Sequence, residues 1–191
     1  AGPAGDTAEL RRYVGDDPDA TVPAAGVDRA TAGRYGVGST FKVVVAATYL
    51  RRPGTGAEDR IPAPQQVDRP GTAPVRNAGR GACAGTGDDG RISLRTALAV
   101  SCNTAFAALA AELGWPAIRD TAVDLGFGTP TRAADWRSGP DFGAASLVPD
   151  DDASGLANLA LGGGTVQASP LQMASVMATV AADGTASAPG I

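Results

Sequence analysis

The sequence contains no histidine, and this absence excludes several classes of active site. A Ser-His-Asp or Cys-His catalytic site, an imidazole-ligated zinc site and general acid–base catalysis by histidine all need the missing residue. Only two cysteines are present, which is too few for a thiolate metal site or for a framework of several disulfides. The composition therefore predicts neither a metal ion nor another cofactor.

Basic charge and long apolar runs are also scarce. Lys+Arg total 16 and Asp+Glu 20, so the net charge is -4 and no basic surface for nucleic acid is expected. No run of 18 apolar residues is present that could span a membrane. The 191 residues suffice for one domain and hardly for two. Since the chain lacks an initial Met, the opening residues 1–5 are interpreted as the remnant of a tag or as a cut edge.

Lysine is almost absent, although arginine is common. The 16 basic residues are fifteen arginines and one lysine, Lys42. A coding bias towards arginine explains this imbalance without any functional cause. The alternative is that position 42 needs a group that can lose its proton, because a buried lysine can become a neutral amine whereas arginine stays protonated.

Hydrophobic periodicity predicts a mainly helical chain. Apolar residues recur at helical spacing over 39–52, 93–98, 103–113, 116–125 and 170–182. The segments 53–90 and 127–155 are predicted to be irregular, with an acidic helix cap at Asp150–Asp152. No segment shows the clean alternation of a strand. The buried face of the last helix is expected to comprise Leu171, Ala174, Val176, Met177 and Val180.

The first candidate for chemistry is the pair Ser39 and Lys42. Residues three apart lie on the same face of a helix, within reach of each other's side chains. A neutral lysine amine can take the proton of a serine hydroxyl, so this pair needs no histidine. A serine in the first turn also lies near free backbone N–H groups that can stabilise an oxyanion.

The second candidate is Ser101-Cys102-Asn103, at a predicted break between two helices. A serine and an amide two residues apart on a turn can both point into one cleft. The hydroxyl could relay a proton, and the amide could hold a substrate carbonyl. The alternative is purely structural, with Asn103 capping the following helix and Ser101 closing the turn.

Together these motifs resemble the transpeptidase domain of penicillin-binding proteins. The similarity covers residues 27–191 in the family's order, and 1–26 form a polar N-terminal segment. Its three main segments are 29–42 with Ser39-Thr40-Phe41-Lys42, 90–106 with Ser101-Cys102-Asn103, and 162–184 with Ser169-Pro170-Leu171-Gln172. Val37 stands where the family usually has a proline.

The resemblance implies the helical part of an α+β penicillin-binding transpeptidase (β-lactamase-like) fold, with most of the five-stranded sheet missing. The family's third motif, Lys-Thr-Gly, is absent, since Lys42 is the only lysine. In the family this motif binds the carboxylate of the substrate. A partial transpeptidase domain with an incomplete catalytic site is therefore expected.

The resemblance also implies a serine acyl-enzyme mechanism. Ser39 would attack the bond between the last two D-alanines of a peptidoglycan stem peptide, and Lys42 would accept its proton. Ser101 would pass a proton to the departing D-alanine, while Asn103, with Cys102 beside it, would bind the substrate. The implied partners are stem peptides, β-lactam antibiotics and other proteins of cell-wall synthesis. The implied location is extracytoplasmic, with a membrane anchor in the full-length protein.

Other functions fit the sequence less well. A class A β-lactamase needs a glutamate to activate water, and the only one after Asn103 is Glu112, which is too near. Class D β-lactamases and related sensors usually carry an apolar residue at the position of Asn103. The segment 33–40 resembles a phosphate-binding loop, but Ser39 replaces the lysine that would meet the phosphates. A non-catalytic recognition module remains open, because the third motif is missing.

The two cysteines, Cys83 and Cys102, are interpreted as free thiols. Cys102 lies between two candidate site residues, which argues against its side chain being tied elsewhere. A disulfide is the alternative if the protein works outside the cytoplasm.

Overall fold

The computed structural model describes residues 30, 33–69, 71, 73–127, 153–163 and 166–185. The predicted acidic cap at Asp150–Asp152 and the N-terminal segment 1–26 lie outside them. The helices are α1 (Lys42–Leu50), α2 (Leu94–Ala99), α3 (Asn103–Leu113), α4 (Trp115–Asp124), α5 (Ala153–Ala160) and α6 (Pro170–Ala181), and a 3₁₀ turn, Gly38–Phe41, leads into α1. Within the described ranges, no helix is long and apolar enough to cross a membrane.

The strands are short and form three separate antiparallel pairs. They are β1 (Tyr35–Gly36), β2 (Arg60–Pro62), β3 (Gln66–Val67), β4 (Val75–Arg76), β5 (Arg91–Ser93) and β6 (Gln167–Ala168). The pairs are β1 with β6, β2 with β5, and β3 with β4. The helices dominate the described residues, and the expectation of a mainly helical chain is confirmed.

Local sequence signals explain where several helices begin and end. The side chain of Ser93 caps α2 by accepting from the N–H of Thr96 at 3.1 Å, and Ser169 caps α6 in the same way. Pro170 occupies the first turn of α6, where its missing N–H costs nothing. Gly114 separates α3 from α4 with a φ of +77°, a conformation that favours glycine.

Helix α3 is the centre of the core. It packs against α1, α4 and α5 and against three of the short strands. Its residues Ala105, Phe106, Ala107, Leu109 and Ala110 are all fully buried. A helix covered on several sides is apolar nearly all round, so a single periodic stripe describes it incompletely. One covering element, α5, lies partly within the segment 127–155 that was predicted to be irregular, and this part of the prediction was wrong.

The predicted buried face of α6 was confirmed at Val176 and wrong for most of its other residues. Its buried residues are Gln172, Val176 and Thr179, whereas Met177 and Val180 are 47% and 40% exposed. Leu171 is partly buried and Ala174 is exposed. This helix carries small or apolar residues on almost every side, so its sequence has too little contrast to define one face. Its orientation is set by the neighbouring elements.

A close approach of two glycines connects the loop after α5 to the approach to α1. The N–H of Gly38 donates to the carbonyl of Gly162 at 3.0 Å, and both residues have positive φ, +53° and +69°. A Cβ atom at Gly162 would lie 1.9 Å from the carbonyl oxygen of Gly38. The segment just before Ser39 therefore depends on the absence of a side chain at Gly162.

We expect Gly162→Ala to destabilise the chain by about 2 kcal/mol more than Gly54→Ala, because an added side chain must displace backbone. Gly54 is a matched control, since it also has positive φ, +78°, but nothing lies within 4 Å of its added Cβ. Urea unfolding of both variants measures the difference. Equal loss of stability would show that the contact contributes nothing beyond the backbone conformation.

Candidate active site

The 3₁₀ turn before α1 places Ser39 beside Lys42. Gly38 starts this turn with positive φ, and Lys42 is the first residue of α1. The Lys42 side chain runs into the interior and is only 1% exposed. Its Nζ lies 3.2 Å from the Oγ of Ser39. The spacing of three residues thus brings the hydroxyl and the amine into hydrogen-bonding contact.

Ser101 enters the site from the end of α2. The N–H of Cys102 donates to Ala97 O at 2.9 Å and that of Ser101 to Leu98 O at 3.1 Å. These are the two bonds of a Schellman motif, in which glycine usually occupies the left-handed position. Here Ser101 takes that position with a φ of +54°. The turn points both the Oγ and the carbonyl oxygen of Ser101 at Lys42 Nζ, each at 2.8 Å.

Asn103 completes the surroundings of the amine. Its Oδ1 lies 2.7 Å from Lys42 Nζ, and its Nδ2 donates to the carbonyl of Arg76 at 3.1 Å. The second bond fixes which end of the amide faces the lysine. The capping position of α3 is Cys102, with no capping bond from its side chain. Asn103 is therefore directed into the site and does not cap its own helix.

The hydrogen-bond donors and acceptors around Lys42 are compatible with both a neutral and a charged amine. Asn103 Oδ1 and the Ser101 carbonyl can only accept hydrogen bonds, whereas the hydroxyls of Ser39 and Ser101 can also donate. A neutral amine can donate its two protons to the two carbonyls. Its lone pair is then free to accept from a hydroxyl. The arrangement suits a lysine that alternates between neutral and charged forms by exchanging a proton with a serine.

The environment of Lys42 also favours its neutral form. Burial lowers the pKa of Lys42 from 10.5 to about 8, because removal from water penalises the charged amine. The ring of Phe106, with its centroid 5.8 Å from Nζ, is a cation–π contact that favours the charged form, so the lowered pKa is due to burial and not to this ring. At pH 7 about a tenth of such a group is neutral, far more than of an exposed lysine.

A cleft of about 400 Å³ opens in front of these residues. Ser39, Ser101 and Asn103 form one wall, and a loop after β4 forms the other. The loop contributes small side chains, which leave room for a ligand. Its lining residues are Asn77, Ala78, Gly79, Ala82, Cys83 and Ala84.

The interpretation of the cysteines as free thiols was wrong. Cys83 and Cys102 form a disulfide, with their Cα atoms 5.7 Å apart. The side chains of Ser101 and Asn103 contact Lys42, while the intervening side chain of Cys102 is bonded to Cys83 and is 1% exposed. Any contact of Cys102 with a substrate would thus have to come from its backbone. The signal in the sequence that could have indicated the bond was the implied extracytoplasmic location, which permits a disulfide.

Sequence reasoning also missed the loop that carries Cys83. Asn77 was not among the predicted site residues, and its Oδ1 accepts from the N–H of Thr104 at the start of α3. No local pattern connects these two residues, which are 27 positions apart. Within the described ranges, no group of three or more His, Cys, Asp or Glu side chains is placed to hold a metal ion.

Comparison with known proteins identifies relatives over most of the chain. The sequence profile described as "Penicillin binding protein transpeptidase domain" matches residues 10–191. The peptidoglycan D,D-transpeptidase PbpA of Mycobacterium tuberculosis is 33% identical over 178 residues, which cover 93% of this chain and 34% of that protein. PbpA of Mycolicibacterium smegmatis is 33% identical over 174 residues, covering 91% and 33%. The chain spans about a third of the length of these relatives.

Solved structures show the same relationship. The ceftriaxone acyl-enzyme complex of penicillin-binding protein A from M. tuberculosis matches with a TM-score of 0.78 and 30% identity, covering 96% of this chain and 39% of that chain. PBP2 of Pseudomonas aeruginosa matches with a TM-score of 0.69 and 28% identity, covering 86% and 38%. The fold is that of the helical part of a transpeptidase domain.

Because Lys42 is the only lysine, we expect a single side-chain NMR signal from protein that is labelled with ¹⁵N at lysine Nζ. Its NMR titration should have a midpoint near pH 8, well below the ordinary value, because of burial. A midpoint near 10.5 would contradict the buried position of the amine. Unfolding the same sample in urea should restore the ordinary value and serves as the control.

Proposed function

Since this chain belongs to the penicillin-binding protein transpeptidase family, we propose that it forms the acylation centre of a peptidoglycan D,D-transpeptidase. The observation that supports this most directly is the position of Lys42 Nζ, which contacts Ser39 Oγ, Ser101 Oγ and Asn103 Oδ1 within 3.2 Å. A nucleophile, a base and a proton relay thus meet at one buried amine.

In the proposed first step, Ser39 Oγ attacks the carbonyl between the last two D-alanines of a stem peptide. Neutral Lys42 takes the hydroxyl proton as the oxygen–carbon bond forms. The peptide C–N bond then breaks, and the departing amine of D-alanine receives a proton through the hydroxyl of Ser101, which Lys42 Nζ contacts at 2.8 Å. The products are an ester on Ser39 and free D-alanine.

The second step transfers the acyl group. An amine of a neighbouring stem peptide attacks the ester and loses a proton to Lys42 while its N–C bond forms. The bond to Ser39 breaks, and Lys42 returns a proton to the serine oxygen. Asn103 binds the backbone of the acyl donor beside the cleft, and its contact with Lys42 keeps the amine in line with Ser39. Over the two steps, one peptide bond is broken and one peptide bond is formed.

β-Lactams would follow the first step only. Attack of Ser39 opens the lactam ring, and its nitrogen receives the proton but stays attached, so the acyl group persists. The M. tuberculosis relative has been solved as acyl-enzyme complexes with ceftriaxone, imipenem and penicillin G. A β-lactamase is disfavoured because Glu112, the only glutamate after Asn103, lies at the surface in an ion pair with Arg52 at 2.5 Å.

The location and completeness of the site are part of the proposal. The bond between Cys83 and Cys102 supports an oxidising, extracytoplasmic environment. Lys-Thr-Gly is not among the 191 residues. The proposal therefore covers the acylation centre and not the binding of the substrate carboxylate, and a non-catalytic recognition module is the second candidate.

Fluorescent penicillin tests the proposal on the protein at its full natural length. We expect covalent labelling that Ser39→Ala abolishes, because the oxygen that forms the ester is removed. Ser175→Ala is the control, since the hydroxyl of Ser175 donates to Leu171 O of its own helix at 3.0 Å and has no other hydrogen bond among the described residues, and labelling should be unchanged. Labelling that survives Ser39→Ala overturns the assignment of the nucleophile. A protein that binds penicillin reversibly without labelling would be a recognition module.

The rate of acylation should rise with pH and level off above about 8. The lysine acts as a base only when neutral, and the neutral fraction grows as pH passes the lowered pKa of Lys42. Stopped-flow measurements with a chromogenic cephalosporin between pH 6 and 10 give this profile. A rate that stays flat across the range, or a Lys42→Arg variant with undiminished rate, would contradict a lysine base.

A further inference from the structure

The helix that begins at Asn103 is capped by a residue from a distant loop. The N–H of Thr104, in the first turn of α3, donates to Oδ1 of Asn77 at 3.1 Å. Helices are usually capped by the side chain at their own capping position, because the first N–H groups have no partner within the helix. In α3 that position is Cys102, whose side chain makes no such bond.

The local candidates for capping are all engaged elsewhere. The sulfur of Cys102 is bonded to Cys83. The side chains of Ser101 and Asn103 both contact Lys42, at 2.8 and 2.7 Å. A side chain that turned back to cap the helix would leave the amine with one partner fewer.

Asn77 is itself held in place. Its Nδ2 donates to the carbonyl of Gly81 at 2.9 Å and lies 3.1 Å from the hydroxyl of Thr104. The preceding carbonyl, that of Arg76, accepts from Asn103 Nδ2 at 3.1 Å. Two consecutive residues, the last of β4 and the one after it, thus hold two consecutive residues at the start of α3.

We propose that Asn77 is a positioning residue, which caps α3 from outside and thereby leaves Ser101 and Asn103 free to hold Lys42. The role in acylation rests on the proposed function, whereas the effect on Lys42 does not. Asn77 acts through the turn Ser101–Asn103 and is not assigned a contact with substrate. The disulfide between Cys83 and Cys102 ties the same loop to the same turn and supports this arrangement.

Loss of the cap has a defined consequence. The N–H of Thr104 would lose its acceptor, and the turn at Ser101, with its φ of +54°, would lose one of its restraints. A loosened turn admits water to the amine and frees Asn103 to pair elsewhere. The groups around Nζ are neutral: the two hydroxyls, the Ser101 carbonyl, the amide of Asn103 and the ring of Phe106. Hydration should therefore move the pKa of Lys42 upward.

The test uses the single-lysine NMR titration together with acylation rates. In Asn77→Ala we expect the Lys42 midpoint to move up by about one unit, which lowers the neutral fraction at pH 7 about tenfold. We also expect a lower acylation rate on the high-pH plateau, where the amine is neutral in every variant. Gln66→Ala is the matched control, because this exposed amide on β3 bonds to Asp68 and not to the turn.

A conservative variant separates positioning from general loss of stability. Asn77→Asp keeps an acceptor for the Thr104 N–H and loses the bond to Gly81, so its plateau rate should return close to that of the wild type. The proposal is overturned if Asn77→Ala changes neither midpoint nor plateau. It is equally overturned if Asn77→Asp folds and its plateau acylation rate is as low as that of Asn77→Ala. If Asn77→Ala does not fold, the plateau rate of Asn77→Asp is compared with that of the wild type, and a rate well below the wild-type value overturns the proposal.

The two proposals can fail separately. If the wild-type protein takes no penicillin label, the proposed function fails, but the Lys42 midpoints still test the role of Asn77. The opposite outcome is penicillin labelling that requires Ser39, together with equal Lys42 midpoints and equal plateau rates in the wild type and Asn77→Ala. In that case the proposed function stands and the positioning role of Asn77 is wrong.

Discussion

The buried amine of Lys42 is the constraint on which the rest of the structure depends. A lysine that is 1% exposed needs partners for its protons, and water cannot supply them. The Ser101 carbonyl and Asn103 Oδ1 are two hydrogen-bond acceptors for this amine, and neither of them carries a negative charge. Because these partners are neutral, the charged form gains no ion pair to offset its burial, and the pKa of the amine falls to about 8, where a useful fraction is neutral. Burial in the core and activity as a base therefore have the same physical origin.

The partners of the amine require a turn that would be unfavourable elsewhere. Ser101 occupies the left-handed position of a Schellman motif, where a residue with a side chain costs about 1–2 kcal/mol relative to glycine. Glycine would relieve this strain but would remove the hydroxyl that contacts Lys42. The disulfide from Cys83 and the cap from Asn77 fasten the turn from one side of the cleft, and α2 fastens it from the other. The strain thus persists because several independent contacts hold the turn.

The sequence predicted the parts of the site that depend on short spacing. Ser39 and Lys42 are one helical turn apart, and Ser101 and Asn103 are separated by one residue, so local geometry brings each pair to one side. The cap from Asn77 and the bond from Cys83 link residues 27 and 19 positions apart, and no local periodicity encodes such contacts. The face of α6 was missed for a different reason, because a helix with small or apolar residues on almost every side has little contrast between its sides.

The distribution of charge follows from the same constraint. A carboxylate beside Lys42 would raise its pKa and keep it protonated, and the described contacts of Nζ are all with neutral groups. The described ion pairs are at the surface and use arginine, as in Arg51–Asp124 and Arg60–Asp89, both 2.5 Å. Exposed pairs of this kind add little stability, so a coding bias can set their identity freely. Position 42 differs, because arginine there would bury a permanent charge and abolish the base.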